Sequence, residues 1–224
     1  MQTLPILWSF RRCPYAMRAR MALWICGHRV EIREILLRDK PDAFLNVSRD
    51  KTVPVLVCAD GTILQESRDI IFWACEHSDS GQALLKQFLD NSQDKSLFLD
   101  RLEGEFKTSL DRYKYSARYT DDPAEAAQSK QEHRDKASQF IWEIEEILAE
   151  HPYISGDEAG IVDIATWPFI RQFRIADPDW FDTQEWGRVQ KWLNGFLNSE
   201  LFAQIMHKYP PWQEADTPLI FGAE

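Results

Sequence analysis

Cys13 stands in a setting that can make a cysteine reactive. In the segment "SFRRCPYAMRARMAL" it follows Arg11 and Arg12 and directly precedes Pro14. Proline suits the first position of a helix, which places Cys13 at or beside the N-cap, where its thiol faces free backbone N–H groups. Helix N-termini and nearby cations favour thiolate over thiol, and such cysteines can titrate at roughly 3.5 to 7.5 instead of about 8.5. The alternative is that Cys13 is a small, buried apolar residue.

Two further features could hold a ligand beside that thiol. Pro54 comes just before a predicted strand and is a candidate for the cis form, which would leave the backbone of Val53 able to pair with a peptide-like ligand. Glu66 and Ser67 open the next helix, where the serine hydroxyl and N–H can bind a carboxylate and Glu66 an ammonium group. A strand-opening proline and an ordinary N-cap are the structural alternatives. Taken alone, the Val53–Pro54 and Glu66–Ser67 segments favour these structural roles. Taken together with Cys13, they indicate a binding site.

The first 77 residues alternate between predicted strands and helices in the order βα, βα, ββα. An amphipathic helix follows the strand "LPILWSF" and can end at Gly27, and "HRVEIREI" has the alternation of a strand. The strands "VPVLVC" and "TILQE" are joined through Asp60 and Gly61, a strong hairpin signal, and "SRDIIFWACEH" continues as a helix. "DKPDAFLNVS" is predicted to be a loop with at most a short helix.

The rest of the chain is predicted to be helical. Residues 78–82, "SDSGQ", are polar and are interpreted as a linker, and no strand is predicted after them. Apolar residues then recur at helical spacing, which predicts a helical bundle over residues 83–224. The predicted fold class is therefore an α/β domain over residues 1–77 followed by an all-α domain.

Composition and charge narrow the possible functions. The net charge of −10 argues against non-specific binding to nucleic acid, which needs a basic face. Lys and Arg outnumber Asp and Glu by 11 to 9 in residues 1–77 but are outnumbered 15 to 27 in residues 78–224, so a small anionic ligand would be more favoured in the first half. No apolar run is long enough to span a bilayer and no basic region precedes a signal-type segment, so we expect a cytoplasmic protein without a membrane contact.

The remaining cysteines suggest neither a metal site nor a disulfide framework. The four cysteines form no CxxC motif and no Cys/His ligand spacing, and the five histidines are scattered, so no metal site is predicted. A reducing compartment would leave all four as thiols. Three of them lie inside apolar segments and are expected to be buried: Cys26, Cys58 and Cys75.

The motifs and their order resemble the glutathione transferase family, and within it the cysteine-containing branch that the omega class represents. "RRCPYAMRARMAL", "KTVPVLV" and "LQESRDI" are similar to the family's cysteine, cis-proline and "ES" segments, and the spacing between them also fits. The resemblance covers nearly the whole chain. It implies a thioredoxin-like N-terminal domain (βαβαββα), a C-terminal helical domain and glutathione as co-substrate.

The resemblance also implies roles for individual residues. Cys13 would be the nucleophile, and Tyr15 would help to shape the glutathione pocket. Leu37 and Lys40 would lie along the glycyl end, with Lys40 near its carboxylate. The remaining contacts would be made by the Val53 backbone to the cysteinyl part, and by Glu66 and Ser67 to the γ-glutamyl end.

A single nucleophilic cysteine implies a monothiol reaction. Ala16 stands three residues after Cys13, where a dithiol motif would have its second cysteine. We expect Cys13 to take glutathione from a glutathionylated or small disulfide substrate as a mixed disulfide, which free glutathione then resolves. Two alternatives remain: conjugation of glutathione to an electrophilic second substrate, and a non-catalytic binding or regulatory protein of the same fold.

In the second half, "ISGDEAGIVDIATWPFIRQF" resembles the family's glycine-aspartate segment that caps a core helix. Gly160 stands where the family usually has serine or threonine, so the capping box with Asp163 is at best half present and Asp163 is interpreted as structural. Family members are usually homodimers, which implies a homodimer here. The candidates for a second-substrate wall are aromatic, although aromatics on a helical stripe are more often core: Tyr113, Tyr115 and Trp167.

Overall fold

Five short strands form one mixed sheet in the computed structural model, which describes residues 4–222. The order across the sheet is β4-β3-β1-β2-β5; β1 and β2 run parallel, and the other neighbours are antiparallel. Leu7 and Trp8, adjacent in the first strand, are both buried although their side chains point to opposite faces, so both faces of the sheet are covered. The strands are β1 (Ile6–Ser9), β2 (Val30–Glu34), β3 (Val55–Val57), β4 (Ile63–Leu64) and β5 (Ile220–Phe221).

Helices make up most of the remaining described chain. A π-helical stretch, Leu102–Phe106, joins two of them, and Ser116–Arg118 forms a 3-10 turn. No helix within residues 4–222 combines the length and apolarity that crossing a membrane requires. The α-helices of the described chain are α1 (Pro14–Ile25), α2 (Asp42–Leu45), α3 (Ser67–Glu76), α4 (Asp79–Leu89), α5 (Ser92–Arg101), α6 (Lys107–Lys114), α7 (Pro123–Glu150), α8 (Ile161–Arg174), α9 (Pro178–Asp182), α10 (Gly187–Leu197) and α11 (Glu200–Ile205).

The chain divides into two compact units. The first combines the N-terminal part through Lys86 with the segment that starts at Asn198, and the second is Gln87–Leu197. The first unit contains the sheet, so the predicted order βα, βα, ββα is confirmed through α3. Within the described residues, the named elements of the second unit are all helices.

The C-terminal segment corrects the predicted organisation, which assigned residues 83–224 to the helical domain and expected no strand there. Phe221, 2% exposed, pairs with Val30 in the antiparallel β5–β2 ladder, and its ring centroid lies 5.8 Å from that of Trp24. Helix α11 packs against α1. A strand of two residues is too short to show an alternating pattern, so its sequence carried no signal of this return to the sheet.

Residues 78–82 are also not a flexible linker. Helix α4 begins at Asp79 and continues past the boundary between the units, and the Ser78 hydroxyl donates a 2.6 Å hydrogen bond to the Cys26 carbonyl. Gly81 is required by packing: a Cβ at this position would lie 2.4 Å from the Cα of Cys75 in α3. The glycine that suggested flexibility therefore permits the start of α4 to lie close to the end of α3.

In the helical unit, Asp163 organises the start of α8. Its carboxylate is buried and accepts hydrogen bonds from the N–H groups of Ile154 at 2.9 Å, Ser155 at 3.0 Å and Gly160 at 3.1 Å, and from the indole of Trp192 at 2.9 Å. Gly160 has no side chain to return a bond. The half capping box and the structural role predicted for Asp163 are confirmed.

Candidate active site

Cys13 is the N-cap residue of α1. Its φ and ψ of −71° and 125° are extended, Pro14 follows in the first turn, and the Cys13 carbonyl accepts the first helical hydrogen bond from Met17 at 2.9 Å. The side chain is half-buried and makes no capping hydrogen bond to the helix. Its sulfur therefore lies at the positive end of a twelve-residue helix, as the sequence predicts.

The loop before β3 brings Val53 next to that sulfur. The Val53–Pro54 peptide bond is cis, as the sequence suggests, and the Cys13 thiol donates to the Val53 carbonyl over 3.7 Å. Val53 is 7% exposed and belongs to a core cluster with Trp8 and Phe44, against which Cys13 is partly packed. A backbone acceptor and the candidate nucleophile therefore lie side by side.

Glu66 and Ser67 occupy the N-terminus of α3. Glu66 is the exposed N-cap residue, whereas Ser67 is 2% exposed and its Oγ accepts a 2.9 Å hydrogen bond from Nε of Arg18. A guanidinium has only donors, so the serine oxygen is the acceptor and its own proton can be donated elsewhere. Sequence reasoning missed Arg18, because an arginine on an apolar helix has the pattern of a solvated side chain.

The other residues predicted to contact glutathione lie around the same sheet. Tyr15 is half-buried, and the guanidinium carbon of Arg18 lies 5.1 Å from the centroid of its ring. Leu37 is 47% exposed in the turn after β2. Lys40 donates a 2.9 Å hydrogen bond to the carbonyl of Lys51, which connects this turn to the loop that carries Val53. Two of the three ammonium protons remain for other acceptors.

A buried polar network that the sequence did not reveal lies behind Cys13. Arg20 is 1% exposed and donates to the Arg11 carbonyl at 2.7 Å and to the Ser9 hydroxyl. Glu34, 8% exposed, accepts a 2.6 Å hydrogen bond from the Arg11 N–H. Burial lowers the pKa of Arg20 to about 10 and raises the pKa of Glu34. Arg11 is expected from the sequence to favour the Cys13 thiolate through its own charge. In the structure its backbone N–H and carbonyl are bound by Glu34 and Arg20.

The other three cysteines are buried, as predicted. The hydrogen bond with Cys26, 3.8 Å between the two sulfurs, and then burial raise the pKa of Cys75. Burial raises the pKa of Cys58. All three thiols are covered by packing, and the raised pKa values of Cys58 and Cys75 favour the protonated form of those two. Cys13 is therefore the cysteine best placed to react with a dissolved substrate.

The aromatic candidates for a second-substrate wall are corrected in part. Tyr113 is 1% exposed and packs against Phe173, with ring centroids 5.2 Å apart, and Trp167 is 6% exposed and stacked on Phe196 at 4.9 Å. Both are core side chains of the helical unit, and a role in a substrate wall is wrong for them. Tyr115 is 36% exposed, with the guanidinium of Arg118 4.0 Å from its ring centroid, and for it the role stays a prediction.

A cysteine begins the first helix, and a cis proline begins the neighbouring strand of a mixed sheet. Helices follow this sheet in the chain. These features define a thioredoxin-like domain joined to a helical domain. Residues 7–81 match the family model for the N-terminal domain of glutathione S-transferase, and residues 127–195 match the model for its C-terminal domain. The chain therefore belongs to the glutathione transferase family.

Relatives in this family include mammalian and bacterial proteins. Glutathione S-transferase omega-1 of Mus musculus is 28% identical over 174 residues, which are 76% of this chain and 68% of the mouse protein, and the Rattus norvegicus omega-1 protein is 26% identical over 175. These identities do not assign the chain to a branch. A family member from Pseudomonas fluorescens Pf-5, crystallised with two glutathione bound, shares the fold at a TM-score of 0.78 with 19% identity over 92% of this chain and 93% of that one. A Burkholderia graminis glutathione transferase with two glutathione molecules per subunit aligns at 0.74 with 18% identity, over 91% and 87%.

Proposed function

We propose that this protein is a glutathione-dependent thiol transferase in which Cys13 is the nucleophile. The observation that carries the proposal is the position of the Cys13 sulfur, at the N-terminus of α1 and 3.7 Å from the Val53 carbonyl. Additional support comes from the structural relatives whose crystals contain glutathione.

The reaction proceeds in two exchanges. The Cys13 thiolate attacks the glutathionyl sulfur of a mixed disulfide, forming the Cys13–glutathione disulfide and releasing the substrate as a thiolate, which takes up a proton. A second glutathione thiolate then attacks the glutathionyl sulfur, releasing the Cys13 thiolate and glutathione disulfide. Negative charge spreads over the sulfurs in each transition state, and the N-terminus of α1 stabilises that charge.

The proposed glutathione site uses the residues around Cys13. The Val53 backbone pairs with the cysteinyl part, as an extended peptide pairs with a strand edge. Glu66 faces the γ-glutamyl ammonium, and the Ser67 hydroxyl proton, left available by the bond from Arg18, is donated to the neighbouring carboxylate together with the helix N–H groups. Lys40 and Leu37 lie at the glycyl end, and Tyr15 lines the pocket.

The geometry favours a monothiol reaction over a dithiol one. Within the described residues, the other cysteines are buried and two of them pair with each other, so none is available to resolve a Cys13 disulfide. Conjugation to an electrophile requires the protein to donate a hydrogen bond to the glutathione thiolate, and the Cys13 thiol is a weak donor. We therefore rank thiol transfer above conjugation.

Two assays on one set of variants test the proposal. Wild type, C13A and C58A are compared in the glutathione-dependent reduction of a small mixed disulfide and in conjugation of an aryl halide. C58A removes a buried cysteine and serves as the matched control. We expect C13A to lose disulfide reduction by about a hundred-fold or more, since the nucleophile is gone, and C58A to retain it. Full activity of C13A would contradict the proposal, and a wild type active only on the aryl halide would favour conjugation.

We also propose that the protein is a homodimer, as family members usually are. The opposite net charges of residues 1–77 and 78–224 suit contact between the two halves of different subunits. Sedimentation or light scattering should give twice the chain mass of 26.2 kDa, and the single-chain mass at micromolar concentration would refute the dimer.

A further inference from the structure

Arg20 reaches the loop before Cys13 although it lies seven residues further along α1. Seven residues are nearly two full helical turns, so both side chains lie on the same face. Helical side chains point back towards the N-terminus, which carries the guanidinium of Arg20 towards residues 10–13. There it donates to the Ser9 hydroxyl and, over 2.7 Å, to the Arg11 carbonyl.

Glu34 holds the same residue of the loop from the other side. Its Oε1 accepts the Arg11 N–H at 2.6 Å, so both backbone polar groups of Arg11 are bound by buried, ionisable side chains. The Cys13 N–H donates a 3.0 Å hydrogen bond to the Phe10 carbonyl, which closes a turn between the loop and the N-cap. Because residue 11 is fixed at both ends, the N-cap two residues later is fixed as well.

The C-terminal segment of the first unit covers this network. The Trp212 N–H donates a 2.8 Å hydrogen bond to the backbone carbonyl of Glu34. Nη1 of Arg11 lies 3.4 Å from the carbonyl of Met206 at the end of α11. Tyr209 is half-buried nearby, and the charge of Arg20 acts on its hydroxyl. Charges in such a covered site are weakly screened, so each acts strongly on its neighbours.

We propose that Arg20 and Glu34 are positioning residues for Cys13: they fix the loop that ends at the N-cap, and their opposite charges set how readily the thiol loses its proton. This inference rests on the proposed function, in which Cys13 is the nucleophile. The groups that face Arg20 are Glu34 from β2, Cys13 from the N-cap, Arg11 from the loop and Tyr209 from the C-terminal segment, and a Cys13 thiolate is among the charges that stabilise the Arg20 cation. By reciprocity the Arg20 cation favours the thiolate, and because the Glu34 carboxylate pairs with that same cation, it offsets part of the effect of Arg20.

The pH dependence of Cys13 alkylation tests this inference. Only the thiolate reacts with iodoacetamide, so the alkylation rate of Cys13, located by peptide mass mapping, gives its titration midpoint without any glutathione assay. The variants are R20Q, which removes the cation, and E34Q, which removes the anion but keeps an acceptor for the Arg11 N–H. E31Q is the matched control, since it removes one charge from the opposite face of β2.

We expect E34Q to lower the midpoint by about one pH unit and R20Q to raise it by about one, with E31Q unchanged. Loss of packing alone has no reason to move the two midpoints in opposite directions. An unchanged or raised midpoint in E34Q overturns the inference, and so does a folded R20Q whose midpoint does not rise. If circular dichroism shows that R20Q does not fold, the comparison of the Cys13 midpoints of E34Q and E31Q tests the inference alone. Midpoints that move as expected in a protein that forms no glutathione disulfide would refute the proposed function, whereas the effect of Arg20 and Glu34 on the Cys13 thiol would stand.

Discussion

The direction of one hydrogen bond decides what Ser67 can do. Its oxygen accepts from Arg18, so the hydroxyl proton is available to a carboxylate that reaches the first turn of α3. The same reasoning applies behind Cys13, where the Arg11 carbonyl accepts from Arg20 and the Arg11 N–H donates to Glu34. In both places buried charged side chains fix a group that the sequence predicts at the site.

The raised pKa of Glu34 predicts a pH-dependent effect on stability. Burial raises this pKa above its value in the unfolded chain, about 4.5, so the folded state holds the proton to higher pH. Between the two values the folded state binds more protons than the unfolded state, and stability falls as the pH rises. E34Q cannot lose a proton. The free energy of unfolding of E34Q minus that of wild type should therefore increase from pH 4.5 upwards, as measured by urea denaturation. A difference that is constant or decreases over this range would contradict the raised pKa.

Residue types predict some positions of this site but not the buried arginines behind it. The N-cap position of Cys13 was predictable because Pro14 has one strongly favoured place in a helix. Arg18 and Arg20 were not predictable, because a cation on a helix ordinarily indicates the solvated face, and only the folded chain shows what has been packed around it. Tyr113 and Trp167 illustrate the opposite error, since an aromatic side chain has the same spacing in a core and in a pocket wall.

At the scale of elements, the close approach of the start of α4 to the end of α3 depends on Gly81. A methyl group at this position would collide with the backbone of Cys75, which cannot move as a flexible side chain can. We expect G81A to be less stable by about 1–3 kcal/mol, measured by chemical denaturation.

G195A is the matched control for that substitution. Gly195 lies on an exposed position of α10 with nothing within 4 Å of the added carbon, so alanine should be neutral or stabilise by up to about 1 kcal/mol through helix propensity. Equal effects of the two substitutions would show that residues 78–82 behave as a linker and not as packed helix.

Secondary structure was predictable where an element is long enough to show its period. The order of strands and helices through α3 and the helical character of Gln87–Leu197 follow from hydrophobic spacing. The prediction of a linker at "SDSGQ" is wrong because a turn-like composition does not show that its glycine is required by contact with the end of α3. Strand β5 has two residues and therefore no period at all.

For the whole molecule, the main departure from the predicted organisation is that the C-terminal segment belongs to the first unit. Strand β5 completes the sheet, and Trp212 lies edge-on to Trp8 with ring centroids 5.0 Å apart. This segment also covers the network behind Cys13. Residues separated by nearly 200 positions in the sequence thus contribute to one site, which local patterns cannot reveal.

Removing the ring of Phe221 tests this contribution to stability. The side chain is 2% exposed against Trp24, so F221A should lower the free energy of unfolding by about 3 kcal/mol, as large-to-small substitutions in a core do. The neighbouring L219A, at a position that is 37% exposed, is the control and should cost less than about 1 kcal/mol. A loss no greater in F221A than in L219A would mean that the C-terminal strand adds nothing to the first unit.

The most direct test of the central claim is the mass of the protein after exposure to glutathione disulfide. Wild type and C58A should each gain one glutathionyl group, mapped to the peptide that contains Cys13, and free glutathione should remove it. C13A should gain none. A glutathionyl group on another cysteine of the wild type, or none on Cys13, would contradict the assignment of Cys13 as the nucleophile.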